Sequence, residues 1–278
     1  YASDASNLVP GDTNNCRDIF MNLNPTGALA RSVRATHGDP VDLETGEEEH
    51  HALTDLTVYN PVGPGVSFSR SYSTKHAKHE YCTPGLPIGW THNYDVVLRE
   101  YPSERPGLIG LRYPDGRKET MVPKANNAGD PPIGMLRPPD GTSYTAQRHG
   151  TTITITNKDR TTLTFTDIGN GYYVVTKITN AVGRYILLEW DSAHRLKKIT
   201  DDQAPARALL TLTYGTNGML EKIVDNTNRK VAYTYEPLVG TMLPCLATAS
   251  QIVPSGATNP PMRWGYTYTN YNNAPLLK

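Results

Sequence analysis

The sequence predicts an all-β protein in which antiparallel β-hairpin repeats form a long curved sheet. Three observations predict this class. Apolar and polar residues alternate in segments such as 210–214, as in a strand with one face on a core. Turn residues separate such segments, as at Asn217-Gly218, a dipeptide that tolerates the positive φ angles of a hairpin turn. A hairpin-sized unit also recurs along the chain, which is typical of a stacked array.

The repeat unit is clearest where residues 190–201 align with residues 214–225, a spacing of 24 residues. Each copy reads aromatic, polar turn, aliphatic, Ile and acid. Residues 180–190 recur as residues 225–235, a spacing of 45 residues, and a partial copy lies at 171–180. A lone hairpin is marginal in water, so the copies must pair edge to edge. The structural repeat positions are Trp190, Leu196, Ile199, Asp201, Tyr214, Gly218, Leu220, Ile223, Asp225 and Tyr235.

The aromatic residues of the repeats are the predicted anchors of the sheet. Because they recur at matching places in the pattern, we expect Trp190, Tyr214 and Tyr235 at equivalent buried positions on neighbouring strands of one sheet. Their burial would stabilise the fold by about 1.5–3 kcal/mol each.

The chain divides into three regions in sequence order. Residues 1–36 are rich in Asn, Asp, Gly and Ser, which predicts a linker or strap, with a short helix near residues 16–23. Residues 37–168 contain short alternating segments cut by Pro and Gly, which predicts a first β-region. Residues 169–278 contain the repeats. Since residues 271–278 read as the first half of another copy, we expect the repeats to continue beyond residue 278.

Four further motifs precede the repeats along the chain. They are GDPVDLETGE at 38–47, FSRSYS at 68–73, GWTHNY at 89–94 and YPDGR at 113–117. Within the third motif we expect Trp90 and Tyr94 to lie in the core and His92 to be a hydrogen-bonded partner.

These motifs and the pattern Tyr-x-x-x-Gly-x-Leu-x-x-Ile-x-Asp at 214–225 carry a family resemblance. The repeat resembles the tyrosine-aspartate (YD) repeat of bacterial Rhs proteins, teneurins and the BC shells of Tc toxins, over residues 37–278. The resemblance implies a spiral β-shell, secreted or at the cell surface, that encloses and delivers a C-terminal toxin or effector. It also implies that the partners are the enclosed cargo and the remainder of the same polypeptide, and that residues 1–36 could plug the shell.

The predicted role is structural and not enzymatic. In some members of the resembled family an aspartyl protease motif lies beyond the repeats, so no catalytic residue is carried over to this chain, and no cofactor is expected. No nucleophile elbow, phosphate-binding loop or zinc-protease helix is found in the sequence. The alternatives are an extracellular adhesion or glycan-binding module, or a self-assembling β filament. Tyr on the solvent face would favour adhesion, whereas Tyr on the enclosed face would favour a shell.

One group of residues has metal-ligand character. His76, His79 and Cys82, with His92 further on, could close a tetrahedral zinc site. The segment is polar, flanked by Lys75 and Lys78, and lacks paired Cys-x-x-Cys spacing. An exposed hairpin tip is therefore the favoured interpretation, and no metal is assigned.

Charge and cysteine content limit the partners. Lys plus Arg and Asp plus Glu are 27 each, so no net field attracts nucleic acid or an anionic membrane. No apolar run approaches the roughly 18 residues of a membrane anchor. The three cysteines, Cys16, Cys82 and Cys245, are widely spaced. Their spacing is compatible either with one disulfide and one free thiol or with three thiols.

The last strand is a predicted interaction edge. Residues 276–277, Leu-Leu, carry no Pro or charge before Lys278. We expect an open sheet whose edge recruits another strand, either by self-association or from the remainder of the polypeptide.

Overall fold

The computed structural model describes residues 53–79, 82–100, 107–123, 134–253 and 261–277. It also describes the backbone of short strands at 2–3, 18–19, 36–37, 41–42 and 49–52. The motif at 38–47 and Cys16 therefore lie largely or wholly outside the residues described in full.

The chain divides into two compact units, Tyr1–Ala35 and Thr36–Lys278. In the first unit, strand β1 (Ala2–Ser3) pairs antiparallel with β2 (Asp18–Ile19). The helix expected near residues 16–23 is therefore wrong at residues 18–19, which are extended and paired.

The second unit is built almost entirely of antiparallel strands, so the predicted all-β class is confirmed. Its one helix among the described residues is α1 (Thr74–Lys78), and no helix there is long and apolar enough to cross a bilayer. The strands are β3 (Thr36–His37), β4 (Val41–Asp42), β5 (Glu49–Val58), β6 (Val66–Ser73), β7 (Trp90–His92), β8 (Val97–Glu100), β9 (Ile109–Arg112), β10 (Lys118–Pro123), β11 (Met135–Arg137), β12 (Thr145–His149), β13 (Thr152–Thr156), β14 (Thr162–Asp167), β15 (Tyr172–Thr179), β16 (Tyr185–Trp190), β17 (Leu196–Asp201), β18 (Ala208–Tyr214), β19 (Leu220–Asp225), β20 (Lys230–Pro237), β21 (Pro244–Ile252), β22 (Arg263–Gly265), β23 (Tyr268–Tyr271) and β24 (Ala274–Leu277).

The main sheet has fifteen strands, β8 to β22, and part of it closes on itself. Strands β8 to β14 pair in sequence order, and both β8 and β14 pair with β15, which makes a closed ring of eight strands. The open sheet expected throughout is therefore wrong for this part. Strand β15 can both close the ring and continue the sheet, because residues 172–174 pair with β8 while residues 177–179 pair with β16. Strands β16 to β22 then extend the sheet as consecutive hairpins.

The expected boundary between the first β-region and the repeats, at residues 168 and 169, falls inside the ring. It separates β14 from β15, and these two strands pair along most of their length.

Several hairpins close through five-residue turns in which one residue adopts a positive φ. At Gly215–Met219 the Gly218 amide donates to the Gly215 carbonyl, and the Gly215 amide donates to the Met219 carbonyl. Only Gly218 has a positive φ, 80°, so the Asn217-Gly218 turn has one left-handed residue. His194 and Asn228 take the same place in the turns after β16 and β19, at 60° and 66°. This geometry is a tight turn followed by a bulge residue.

A second sheet, β5–β6–β7, covers the core face of the main sheet. It brings two sequence motifs together, because β6 and β7 pair Arg70 with His92 and Tyr72 with Trp90. In the main sheet, Ile186 and Leu188 are buried while the intervening Leu187 is partly exposed, as strand alternation requires. One hydrophobic core joins the two sheets.

Candidate functional site

The repeat aromatics form a hydrogen-bonded series on the core face, here called the aromatic ladder. Each ring donates from its polar atom to the backbone carbonyl of an earlier residue in the chain. The four contacts are Trp190 Nε1 to Val175 at 2.8 Å, Tyr214 Oη to Leu196 at 2.7 Å, Tyr235 Oη to Leu220 at 2.6 Å and Tyr268 Oη to Leu246 at 2.9 Å.

The strand register explains why these carbonyls need a donor. A bulge interrupts the pairing at each aromatic of β16, β18 and β20. Across the bulges, Trp190 is opposite Leu196, Tyr214 opposite Leu220, and Tyr235 opposite Leu246. A bulge disrupts the local ladder of backbone hydrogen bonds. The next aromatic along the chain therefore supplies the donor that each bulge leaves missing.

The prediction for Trp190, Tyr214 and Tyr235 needs two corrections, one to the strands on which they lie and one to their burial. The three positions are equivalent, but they lie on β16, β18 and β20, with one strand between successive rings. A two-stranded hairpin carries one aromatic, so the rings can recur only on every second strand. The rings pack against the core while remaining partly exposed. Burial raises the pKa of the Tyr214 and Tyr235 hydroxyls, so both remain protonated donors at neutral pH.

Tyr214 illustrates how tightly one ring is held. The Arg195 guanidinium lies 4.4 Å from the centre of the ring, and Arg195 is itself held by Asp191 at 2.8 Å. A Cβ at Gly85 would overlap the edge of the Tyr214 ring and would also crowd Arg195, so only glycine fits there. Gly85 also has a φ of 91° and accepts a backbone hydrogen bond from Leu220.

The acids of the repeat organise the turns. Asp225 Oδ1 accepts from the amides of Thr227 and Arg229, and Oδ2 accepts from Arg229 Nε at 2.7 Å. Asp201 makes the same contacts with the amide and Nε of Arg207. Burial alone would raise the pKa of Asp225, but the hydrogen bonds from Arg229 and Thr227 hold that pKa below its ordinary value. The carboxylate is therefore charged at neutral pH, as these donors require.

The remaining repeat positions have packing and turn roles. Leu196, Ile199, Leu220 and Ile223 are buried in the common core, and Gly218 provides the left-handed turn residue.

The core also contains an ion pair that the sequence analysis missed. Arg70 and Asp55 form a bidentate contact, and both side chains are fully buried. The Arg70 guanidinium lies 5.2 Å from the Trp90 ring centre and 5.3 Å from that of Tyr233, whose hydroxyl donates to Asp55 at 2.7 Å. Burial opposes the charge of Arg70, but the hydrogen bond and charge of Asp55 outweigh it and raise the pKa of Arg70. The signal was available, since Arg70 shares one strand face with buried Phe68 and Tyr72.

The metal candidates occupy different environments. His76 is buried in α1, where its ring packs on the turn at Gly116, and His79 follows the end of that helix. The exposed hairpin tip expected there is therefore wrong, because residues 74–78 are helical. Cys82 is half-buried, and burial followed by the Asp95 charge raises the pKa of its thiol.

His92 is the fourth candidate and is fully buried. Its Nδ1 accepts the Tyr94 amide at 3.2 Å, and burial lowers its pKa to about 3, so the ring is neutral. Within the described ranges, no three His, Cys, Asp or Glu side chains converge as a metal site.

Part of the chain matches a known family model. A family model described as a domain of unknown function, DUF6531, matches residues 38–121, which include the motifs at 68–73, 89–94 and 113–117. No curated protein matches the chain. Among solved structures, a porin-like protein from Bacteroides uniformis is 14% identical, with a TM-score of 0.35. That alignment covers 66% of this chain and 86% of the other, and no inference follows from it.

Proposed function

We propose that this chain is a non-catalytic structural segment of an Rhs-type β-shell that encloses and delivers a C-terminal toxin or effector. The aromatic ladder is the observation that carries the proposal. Each aromatic attaches its own hairpin to the bulge of the preceding one, so hairpins stack in one order and one register. A wall made of repeated units needs this property, since a one-residue register slip would reverse which side chains face inward.

The packing of the core supports a place in the wall. Sheet β5–β6–β7 and the loop that leads into β7 lie directly on the ladder, with Gly85 against Tyr214 and the His92 ring 6.3 Å from that of Trp190. The core face of this segment is therefore occupied by its own chain. In this proposal the cargo lies against later repeats, and the described residues form a solid part of the shell.

The orientation of the aromatics also separates the proposal from its alternative. A glycan-binding or adhesion module would present rings to solvent, where they could stack on sugars. The repeat aromatics instead pack on the core, and the strongly exposed tyrosines of the described residues are Tyr59 and Tyr271, outside the ladder. This arrangement favours a shell over an adhesive surface.

The test uses the intact polypeptide that contains this chain. We expect its C-terminal part to resist protease while folded and to be recovered outside the producing cell. Tyr214→Ala, which removes one ladder contact and its ring, should expose the C-terminal part to protease. Tyr271→Ala, a matched change at a tyrosine that is 58% exposed, should leave it protected.

Two results would overturn the proposal. One is a C-terminal part that is digested at the same rate in the native protein and the Tyr214→Ala variant. The other is an isolated chain that binds glycans or cell surfaces with the Tyr59 and Tyr271 side chains required, which would favour adhesion.

A further inference from the structure

Two backbone groups on the outer edge of β24 are satisfied by a single side chain. In hairpin β23–β24, Thr269 is opposite Leu276 and Tyr271 opposite Ala274, so Pro275 and Leu277 direct their backbone groups away from β23. The Tyr72 hydroxyl donates to the Pro275 carbonyl at 2.5 Å and accepts from the Leu277 amide at 3.3 Å. One phenol thus satisfies the two groups that a neighbouring strand would otherwise pair.

Tyr72 is well placed for this contact. It lies on β6, is fully buried, and its ring packs against those of Trp90 at 5.5 Å and Tyr268 at 6.4 Å. Helix α1 follows β6 directly and lies beside β24. The apolar edge expected at residues 276–277 is therefore covered here, with Leu277 only 9% exposed.

We propose that the outer edge of β24 is a dimerisation surface for a second copy of this chain, and that Tyr72 holds it closed. In the dimer, two β24 strands pair antiparallel about a two-fold axis through Leu276. Leu277 of each copy then donates its amide to the Pro275 carbonyl of the other. These are the same two groups that Tyr72 now satisfies, so the hydroxyl and the second copy compete for one edge.

The sequence of β24 favours its own copy as the occupant. Pro275 has no amide hydrogen, so a strand pairing with this edge can receive only the Leu277 donor. In the two-fold arrangement the Leu277 amide of each copy meets the Pro275 carbonyl of the other, so the missing Pro275 amide leaves no carbonyl without a donor at these two pairs. Residues 274–277 carry no charge, so two copies meet without repulsion. A two-fold contact closes as a dimer, in contrast to the head-to-tail contact of a filament.

The hairpin can open without breaking any strand pairing of the main sheet. Strands β23 and β24 form a separate two-stranded sheet with no backbone pairing to β22. Opening breaks the contacts of Tyr72 and of Tyr268, together with the contact of Asn270 Nδ2 with the Val239 carbonyl at 2.9 Å. The closed monomer therefore dominates in the native chain. This inference does not depend on the shell proposal.

The test compares two tyrosine-to-phenylalanine changes. Tyr72→Phe removes the edge contact, and we expect the dimer dissociation constant to fall by about 10- to 100-fold, measured by sedimentation or light scattering. Tyr235→Phe removes a hydroxyl that likewise donates to a backbone carbonyl, but away from β24, and should leave the dissociation constant unchanged. The double variant Tyr72→Phe/Leu277→Pro lacks the donor that both copies need and should behave as a monomer.

A crosslink locates the interface and does not require Tyr72→Phe to fold. Opposed residues of an antiparallel pair have Cβ atoms about 4.5–5.5 Å apart, close enough for a disulfide after small movement. Leu276→Cys in the otherwise native chain should therefore form a disulfide-linked dimer under mild oxidation, which the native chain, with its three cysteines, should not form.

Any of three results overturns the inference. They are a Tyr72→Phe chain that associates no more than the native chain, a double variant that still dimerises, and a Leu276→Cys chain that forms no more crosslinked dimer than the native chain.

Discussion

Removal of the Tyr214 hydroxyl should destabilise the protein by more than its loss of one atom suggests. The hydroxyl donates to the Leu196 carbonyl at 2.7 Å, and Leu196 is fully buried in the core opposite the bulge at Trp190. In Tyr214→Phe this carbonyl loses its donor where water has little access. Leaving a buried polar group unpaired costs about 1–3 kcal/mol. Tyr214→Ala also removes a ring that packs against Arg195 and Gly85, for a total of about 3–5 kcal/mol.

Chemical or thermal unfolding of the isolated chain measures both changes. For a domain of this size, each kcal/mol lowers the midpoint temperature by about 2–4 °C. Tyr271→Phe is the control, because that hydroxyl is on a ring that is 58% exposed. If Tyr214→Phe unfolds at the same midpoint as Tyr271→Phe, the ladder contact contributes nothing and the reasoning is refuted.

Three other predictions concern the polar groups of the fold. Asp225→Ala removes the acceptor for two turn amides and for Arg229, and should lower the free energy of unfolding by about 1–3 kcal/mol. Asp55→Ala leaves the buried Arg70 charge unpaired and should cost about 3–5 kcal/mol, whereas Asp55→Ala combined with Arg70→Met should recover much of that loss. His92 has a folded pKa of about 3, below its ordinary 6.5, so its contribution to the free energy of unfolding is complete above pH 6.5 and is lost as the pH falls toward 3. The difference in stability between the native chain and His92→Gln should therefore shrink as the pH falls from 6.5 to 3.

Each of these has its own control. For the turn, Asp140→Ala removes a carboxylate that is 80% exposed and paired only with Arg137 in the described contacts, and should change stability by less than about 0.5 kcal/mol. For the core pair, a double variant as unstable as Asp55→Ala alone would show that the unpaired charge is not the cause. For His92, a difference that stays constant between pH 6.5 and 3 would contradict a neutral buried ring.

Local features of the fold could be predicted from the sequence because they depend on neighbouring residues. Alternation places Ile186 and Leu188 on the core face, and Gly218 has the left-handed conformation that hairpin turns require. The pairing of copies at 190–201 and 214–225 followed from their spacing. Each of these features depends on residues within one hairpin or two neighbouring hairpins.

Features that join distant segments were not predictable in the same way. The partner of Arg70 lies on another strand, and Tyr233, which completes that cluster, is 178 residues from Asp55. No pattern around Leu277 indicates that Tyr72, 205 residues earlier, covers its edge. Closure of the ring was missed for the same reason, since it depends on one strand, β15, being long enough to pair with three others.

The ladder also has a direction, with a consequence for synthesis on the ribosome. Every donor reaches back to a carbonyl 15 to 22 residues earlier in the chain. The first of these carbonyls, at Val175, belongs to the strand that closes the ring. Each emerging hairpin therefore finds its acceptor already made, and the loop it must close is short. Growth of the sheet is vectorial, so nascent repeats can join it one at a time, and a repeat that fails to fold halts only those that follow.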